Sequence, residues 1–137
     1  MTSTVVYEKD LRVTCTHLQS SSRVETDAPV DNYGRGERFS PTDLLATSLA
    51  TCMVTIMGIK ARSMGLQMDD TKIEVEKIML PDPRRVGEIN LTIHIPKALQ
   101  SIGEKEKQVL KNAGLTCPVI KSIHPDIKVN IDWGSWS

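Results

Sequence analysis

Aromatic side chains are scarce in this 137-residue sequence. Tyr7, Tyr33, Phe39, Trp133 and Trp136 make up 4% of it, so Leu, Ile, Val, Met and Ala must build most of the core. Neither charge is in excess: lysine plus arginine and aspartate plus glutamate both number 17. That balance argues against a nucleic-acid partner, which calls for a basic stripe. Cysteine is limited to Cys15, Cys52 and Cys117, an odd set without tight spacing. It makes no disulfide framework and points to a reducing, cytoplasmic setting. CxxC and HExxH are absent and His17, His94 and His124 are scattered, which leaves no pattern for a structural zinc site. The N-terminus has no cationic stretch followed by an apolar one, so nothing marks secretion. The longest uncharged apolar run, Leu44 to Ile59, is about 16 residues and contains Thr47, Ser48, Thr51 and Thr55. A membrane span needs ~20 residues, so this run reads as a buried helix of a soluble protein.

The chain is expected to form one domain over residues 1–137. Val5 to Tyr7, Leu11 to Leu18 and Arg23 to Thr26 read as a meander of strands, and the glycine-punctuated stretch Asp27 to Phe39 as a loop. A helix then opens at Ser40-Pro41-Thr42-Asp43, with Ser40 as N-cap, Pro41 at the first helical position and Asp43 closing a capping box. It runs to Arg62 or Met64, where Gly65 suits the C-terminal stop. Apolar on nearly every side, such a helix must be covered on most of them. One sheet covers one face, so a second copy of the chain is expected on another, in a homodimer. Ile73 to Ile78 and Ile89 to Ile95 are further strands, Pro96 opens one amphipathic helix to Lys111 or Asn112 that Gly114 ends, and Ile127 to Ile131 is the last strand. Between them, Thr116-Cys117-Pro118 opens a short helix to Ile123. Strands and helices in runs rather than alternation indicate an α+β fold with antiparallel sheets.

The chemistry on offer lies in two cysteines. A thiol attacks a peroxide as its thiolate, yet an ordinary thiol, near pKa ~8.5, is mostly protonated at neutral pH. Cys52 sits about 12 residues into the long helix, beyond the reach of the helix dipole, and burial alone would make it inert. Reactivity there requires a cation. Arg35 and Arg38 in the preceding loop, or Arg12 and Arg23 in the strands, are the candidates, with Glu37 and Asp43 as carboxylates to hold it. Cys117, at the start of a helix, faces free N–H groups that favour its thiolate and suit a resolving thiol. A disulfide requires their Cα atoms to come within roughly 7 Å.

The competing reading makes both cysteines small core residues that never meet. Cys15, on an alternating strand, is read as structural. His94 is a solvated side chain on a polar strand face, and Met53, Met57, Met64 and Met68 are core filling rather than a cofactor box.

Two pieces of sequence carry a family resemblance: Ser40-Pro41-Thr42-Asp43-Leu44, which leads eleven positions on from Pro41 to Cys52, and Cys117-Pro118-Val119-Ile120-Lys121. In these, and in the order of strands and helices, the chain resembles the OsmC/Ohr family of thiol-dependent organic hydroperoxide reductases. Gly36-Glu37-Arg38-Phe39-Ser40-Pro41 is similar to the OsmC-like branch. The resemblance implies an intertwined homodimer around long central helices, with both cysteines in each active site. It implies Cys52 as the peroxidatic thiol, Cys117 as the resolving thiol, and no metal, haem or flavin cofactor. Organic hydroperoxides would be the substrates and a dithiol the reductant, in oxidative-stress defence. An arginine paired with a glutamate activates the thiol in that family. Here Thr42 stands where the glutamate is expected, and Asp43, the next residue, points ~100° away along a helix. Arg38 and Asp43 are carried forward as the activating pair, with Arg35, Arg12 and Arg23 as alternatives. The missing glutamate also motivates a second expectation, an OsmC-like dimer that binds an apolar small molecule or senses oxidation.

Overall fold

The computed structural model describes all of residues 1–137, which form two compact units, residues 1–45 and residues 46–137. The fold is α+β.

In the first unit, β1 (Ser3–Lys9), β2 (Arg12–His17) and β3 (Arg23–Asp27) make an antiparallel meander. Asp10 and Leu11 turn between β1 and β2 with φ of 51° and 63°. Positive φ at both central residues gives the turn the twist that a two-residue hairpin needs. The alternation of side chains sorts the sheet into unlike faces. Val5, Tyr7, Val13, Cys15 and Val24 share one face; Glu8, Arg12, Thr14, Arg23, Glu25 and Asp27 share the other, together with Val6. The apolar face is open within one chain, with Val5 67% and Tyr7 62% exposed. After β3 the loop doubles back so closely that a Cβ on Gly34 would lie 1.6 Å from the Ala28 carbonyl oxygen. Only glycine fits there. The loop then returns beside β3, where the Asp27 N–H donates to the Phe39 carbonyl at 3.1 Å.

Helix α1 (Pro41–Ser63) begins at the end of this unit. Ser40 and Asp43 close the expected capping box in both directions: the Asp43 N–H donates to Ser40 Oγ at 3.0 Å, and the Ser40 N–H to Asp43 Oδ2 at 2.9 Å. Gly65 adopts φ +71° beyond the other end, where the Leu66 N–H returns to the Ala61 carbonyl.

In the second unit α1 lies on a sheet of β4 (Lys72–Leu80), β5 (Arg85–His94) and β6 (Lys128–Asp132), with β5 in the middle. Ala46, Leu49, Ala50, Met53, Met57 and Ala61, spaced by three and four, form the buried stripe of α1. They pack on Ile89, Leu91 and Ile93 of β5. Each large apolar side chain buried here is worth roughly 1.5–3 kcal/mol. The chain itself buries α1 fully along this stripe, whereas Ile59, on another face, is 63% exposed. By length and composition α1 is also apolar enough to cross a membrane, a test that soluble core helices pass as well.

Two expectations change. β4 and β5 pair antiparallel, but β5 and β6 run parallel. The helical segment between them carries the chain back to the starting end of the sheet, as a parallel pairing requires. The single helix expected after Pro96 is two, α2 (Lys97–Gln100) and α3 (Glu104–Gly114). Gly103, extended at φ −62° and ψ 154°, breaks the run and starts the second. Gly114 ends α3, as read from the sequence, and is a contact residue as well. A Cβ there would meet the Met57 sulfur at 3.0 Å, so its absence lets α3 approach α1 closely. A short α4 (Pro118–Ser122) follows. Trp136, buried near the C-terminus, donates from Nε1 to the Leu99 carbonyl at 2.9 Å.

Candidate active site

Cys52 projects from the middle of α1, half-buried rather than sealed in the core as its apolar surroundings suggested. Cys117 is the fully buried thiol, at 0% exposure, packed with Leu49, Met53 and Ile89. It forms the N-cap of α4, with Pro118 at the first helical position, and its Sγ accepts the Ile120 N–H at 3.4 Å. Both cysteines are free thiols, and their side chains come within hydrogen-bonding reach of each other. Cys15, as read from the sequence, lies on a strand, β2.

The electrostatics of Cys117 reverse the sequence reading. Its amide partners are in place, and the Ile120 and Val119 N–H groups do pull its pKa down. Burial pushes the thiol up more strongly, and the neighbouring Cys52 adds to the rise, so Cys117 lies above the ordinary thiol range. Desolvation outweighs two amide dipoles because nothing at this site replaces the water around a thiolate. The pair is therefore a half-exposed thiol backed by a buried, protonated one. Oxidation of the outer sulfur places it beside a thiol positioned to displace oxygen from it.

The expected arginines lie in the first unit. Arg12 grips Asp27 with Nε and Nη2, both at 2.8 Å, and the same Nη2 reaches Glu37 Oε2 at 2.9 Å. Asp27 also accepts the Glu37 N–H at 3.1 Å. Hydrogen bonds from Arg12 hold its carboxyl below the usual carboxylate range despite burial. Sequence reasoning weighed Arg12 and Glu37 but passed over Asp27, read only as the start of a loop. Only the strand register reveals it, because the meander sets Arg12 directly opposite Asp27. Arg38 pairs with Glu25 at 2.8 Å and is half exposed, and Arg35 pairs with Asp10 at 2.9 Å. Asp43 is engaged in the helix cap, where the Ser40 hydroxyl also meets Thr42 Oγ1 at 3.2 Å.

Residues 34–132 match the family model for OsmC-like protein. A solved structure from Psychrobacter arcticus 273-4, provisionally described as an osmotic stress induced and detoxification response protein, is 53% identical to this chain. It superposes with a TM-score of 0.91 over 96% of this chain and 94% of its own. The organic hydroperoxide resistance protein OsmC from Legionella pneumophila shares the fold at 16% identity, with a TM-score of 0.72 over 96% of both chains. An OsmC-like protein of unknown function from Vibrio cholerae does so at 9% identity, with a TM-score of 0.77 over 94% of this chain and 96% of its own. No curated protein sequence matches the chain.

Proposed function

The chain belongs to the OsmC/Ohr family, and from that premise we propose that it is a thiol peroxidase acting on organic hydroperoxides through Cys52 and Cys117. The observation that carries the reading is the contact between half-buried Cys52 and buried Cys117. Structural neighbours described as organic hydroperoxide resistance proteins support it at the level of fold.

In the proposed cycle the Cys52 thiolate attacks the terminal peroxide oxygen. The O–O bond breaks, the alcohol leaves with a proton, and Cys52 becomes a sulfenic acid, oxidised by two electrons as the peroxide is reduced. Cys117 then attacks that sulfur. The S–S bond forms as the S–O bond breaks, and the departing hydroxide takes the Cys117 proton to leave as water. A dithiol reduces the disulfide through a mixed disulfide and restores both thiols. No cofactor enters this cycle.

Formation of the Cys52 thiolate calls for a cation. Arg12 is balanced by two carboxylates, Asp27 and Glu37, and is spent on them. Arg38 faces one, Glu25, and keeps the activating role proposed from the sequence. Asp43 would act through the start of α1. The open apolar sheet face of Val5, Tyr7 and Val24, and the exposed flank of α1 at Ile59, favour a homodimer in which a second copy covers them.

The test is consumption of cumene hydroperoxide with dithiothreitol as reductant. Wild-type turnover, lost in Cys52→Ser, is expected; unchanged turnover in that variant refutes the proposal. A second reading, an OsmC-like dimer that binds an apolar molecule or senses oxidation, is favoured by Thr42 in the position of the family glutamate. It predicts a Cys52–Cys117 disulfide under stoichiometric oxidant without catalytic turnover, or neither.

A further inference from the structure

Cys117 has a second duty besides its thiol chemistry: its side chain starts α4. Pro118, at the first helical position, has no N–H to satisfy, and the next amides turn to the sulfur. Cys117 Sγ accepts the Ile120 N–H at 3.4 Å and is also a partner of the Val119 N–H. The rest of α4 is lightly held. It is five residues long and has no fully buried residue, and Val119, Ile120 and Ile123 pack on the core only in part. Within it, the Ser122 hydroxyl donates to the Pro118 carbonyl at 2.7 Å. A helix this short does not sustain itself in water, so its cap matters.

A disulfide makes a competing demand on the same sulfur. Two thiols within hydrogen-bonding reach must close to about 2.05 Å, with a dihedral near 90° about the new bond. Cys52 is held on α1, which a stripe of six buried residues anchors against the sheet. Cys117 is therefore the partner that moves, away from the amides it caps. A hydrogen bond already at 3.4 Å is lost in that movement.

We propose that closure of the Cys52–Cys117 disulfide uncaps α4 and loosens residues 117–123, which then form a redox-controlled gate to the inner sulfur. The inference rests on the thiol contact behind the peroxidase reading and adds a regulated step to its reductive half. A dithiol reduces the disulfide by attacking one sulfur and expelling the other as a thiolate. Attack on Cys117 is blocked while that sulfur is at 0% exposure. Attack on half-buried Cys52 expels Cys117, and burial disfavours the thiolate that must leave. Opening α4 admits water to Cys117 and relieves both obstacles. Recapping after reduction closes the gate. The plainer role for the sulfur is a helix cap that is indifferent to the redox state of the pair.

Proteolysis at α4 separates the two. Diamide, a diazene that takes two electrons and two protons from a thiol pair, forms the disulfide without any peroxide, and peptide mass spectrometry verifies it. Trypsin cuts after exposed Lys121 in α4 and after Lys111 in α3, so the ratio of the two cleavage rates isolates α4 from the rest of the chain. That ratio should rise about fivefold in the disulfide form, the scale of one lost helix cap, and fall back with dithiothreitol. Cys117→Ser, whose hydroxyl caps a helix but forms no disulfide, should be cut slowly at Lys121 with or without diamide. An unchanged ratio in protein with a verified Cys52–Cys117 disulfide overturns the gate and leaves the peroxidase cycle standing. A ratio that rises equally in Cys117→Ser overturns the gate as well. Absence of that disulfide under diamide overturns both, because it denies the contact on which they stand.

Discussion

Arg12 holds buried Asp27 through both carboxylate oxygens at 2.8 Å, joining the first residue of β2 to the last of β3. The lowered Asp27 pKa ties this pair to pH. Its carboxylate contributes stability that is fully present above the ordinary aspartate value, about 3.9, and is lost as pH falls through the depressed folded value. The melting temperature should therefore drop on acidification below about pH 4. Asp27→Asn should melt several degrees lower at neutral pH, with a flatter acid limb. An unchanged acid limb would remove the pair from the account.

Thiol reactivity should follow burial. Iodoacetamide at pH 7 to 8 is expected to label Cys52 well before Cys117, read by peptide mass spectrometry, because the thiolate is the reactive form and Cys117 is pushed up by its surroundings. Arg38→Ala should slow labelling of Cys52 while leaving melting nearly unchanged, and an unchanged rate would remove Arg38 from the proposed activation. Labelling of Cys117 first would reverse the proposed roles.

Replacement of the inner thiol separates the two chemical steps. In Cys117→Ser one equivalent of cumene hydroperoxide should leave a Cys52 sulfenic acid that dimedone traps, whereas the wild type should yield a disulfide and no adduct. Dimedone labelling at equal levels in both proteins would show that Cys117 does not resolve.

Two glycines should respond to alanine with opposite signs. Gly58→Ala adds a methyl group to a helix interior where nothing lies within 4 Å, and should stabilise by about 0.5–1 kcal/mol. Gly34→Ala drives a methyl group into the Ala28 carbonyl, which belongs to the backbone and cannot move aside cheaply; it should destabilise by about 1–3 kcal/mol or more. Denaturant melts of both variants measure the difference.

The helix cap gives a smaller, separable effect. Asp43→Ala removes one half of the reciprocal bonding with Ser40 and should cost about 1 kcal/mol in a denaturant melt. A loss of peroxidase turnover far beyond that destabilisation would assign Asp43 a role beyond the start of α1.

Local chemistry was legible in the sequence. The start of α1 at Ser40-Pro41-Thr42-Asp43, its end at Gly65 and the period-2 pattern of β5 were all readable, because caps and alternation depend on residues a few positions apart. The motifs around Cys52 and Cys117 carried the family resemblance. Tertiary structure alone decided the parallel pairing of β6, the partnership of Arg12 with Asp27 and the exposures of the two cysteines. It also raised the Cys117 pKa where the start of a helix suggested the opposite. Those outcomes turn on which distant segments displace water from a group. Burial acts through every neighbour at once, whereas a helix terminus acts through the few amides next to it in the chain.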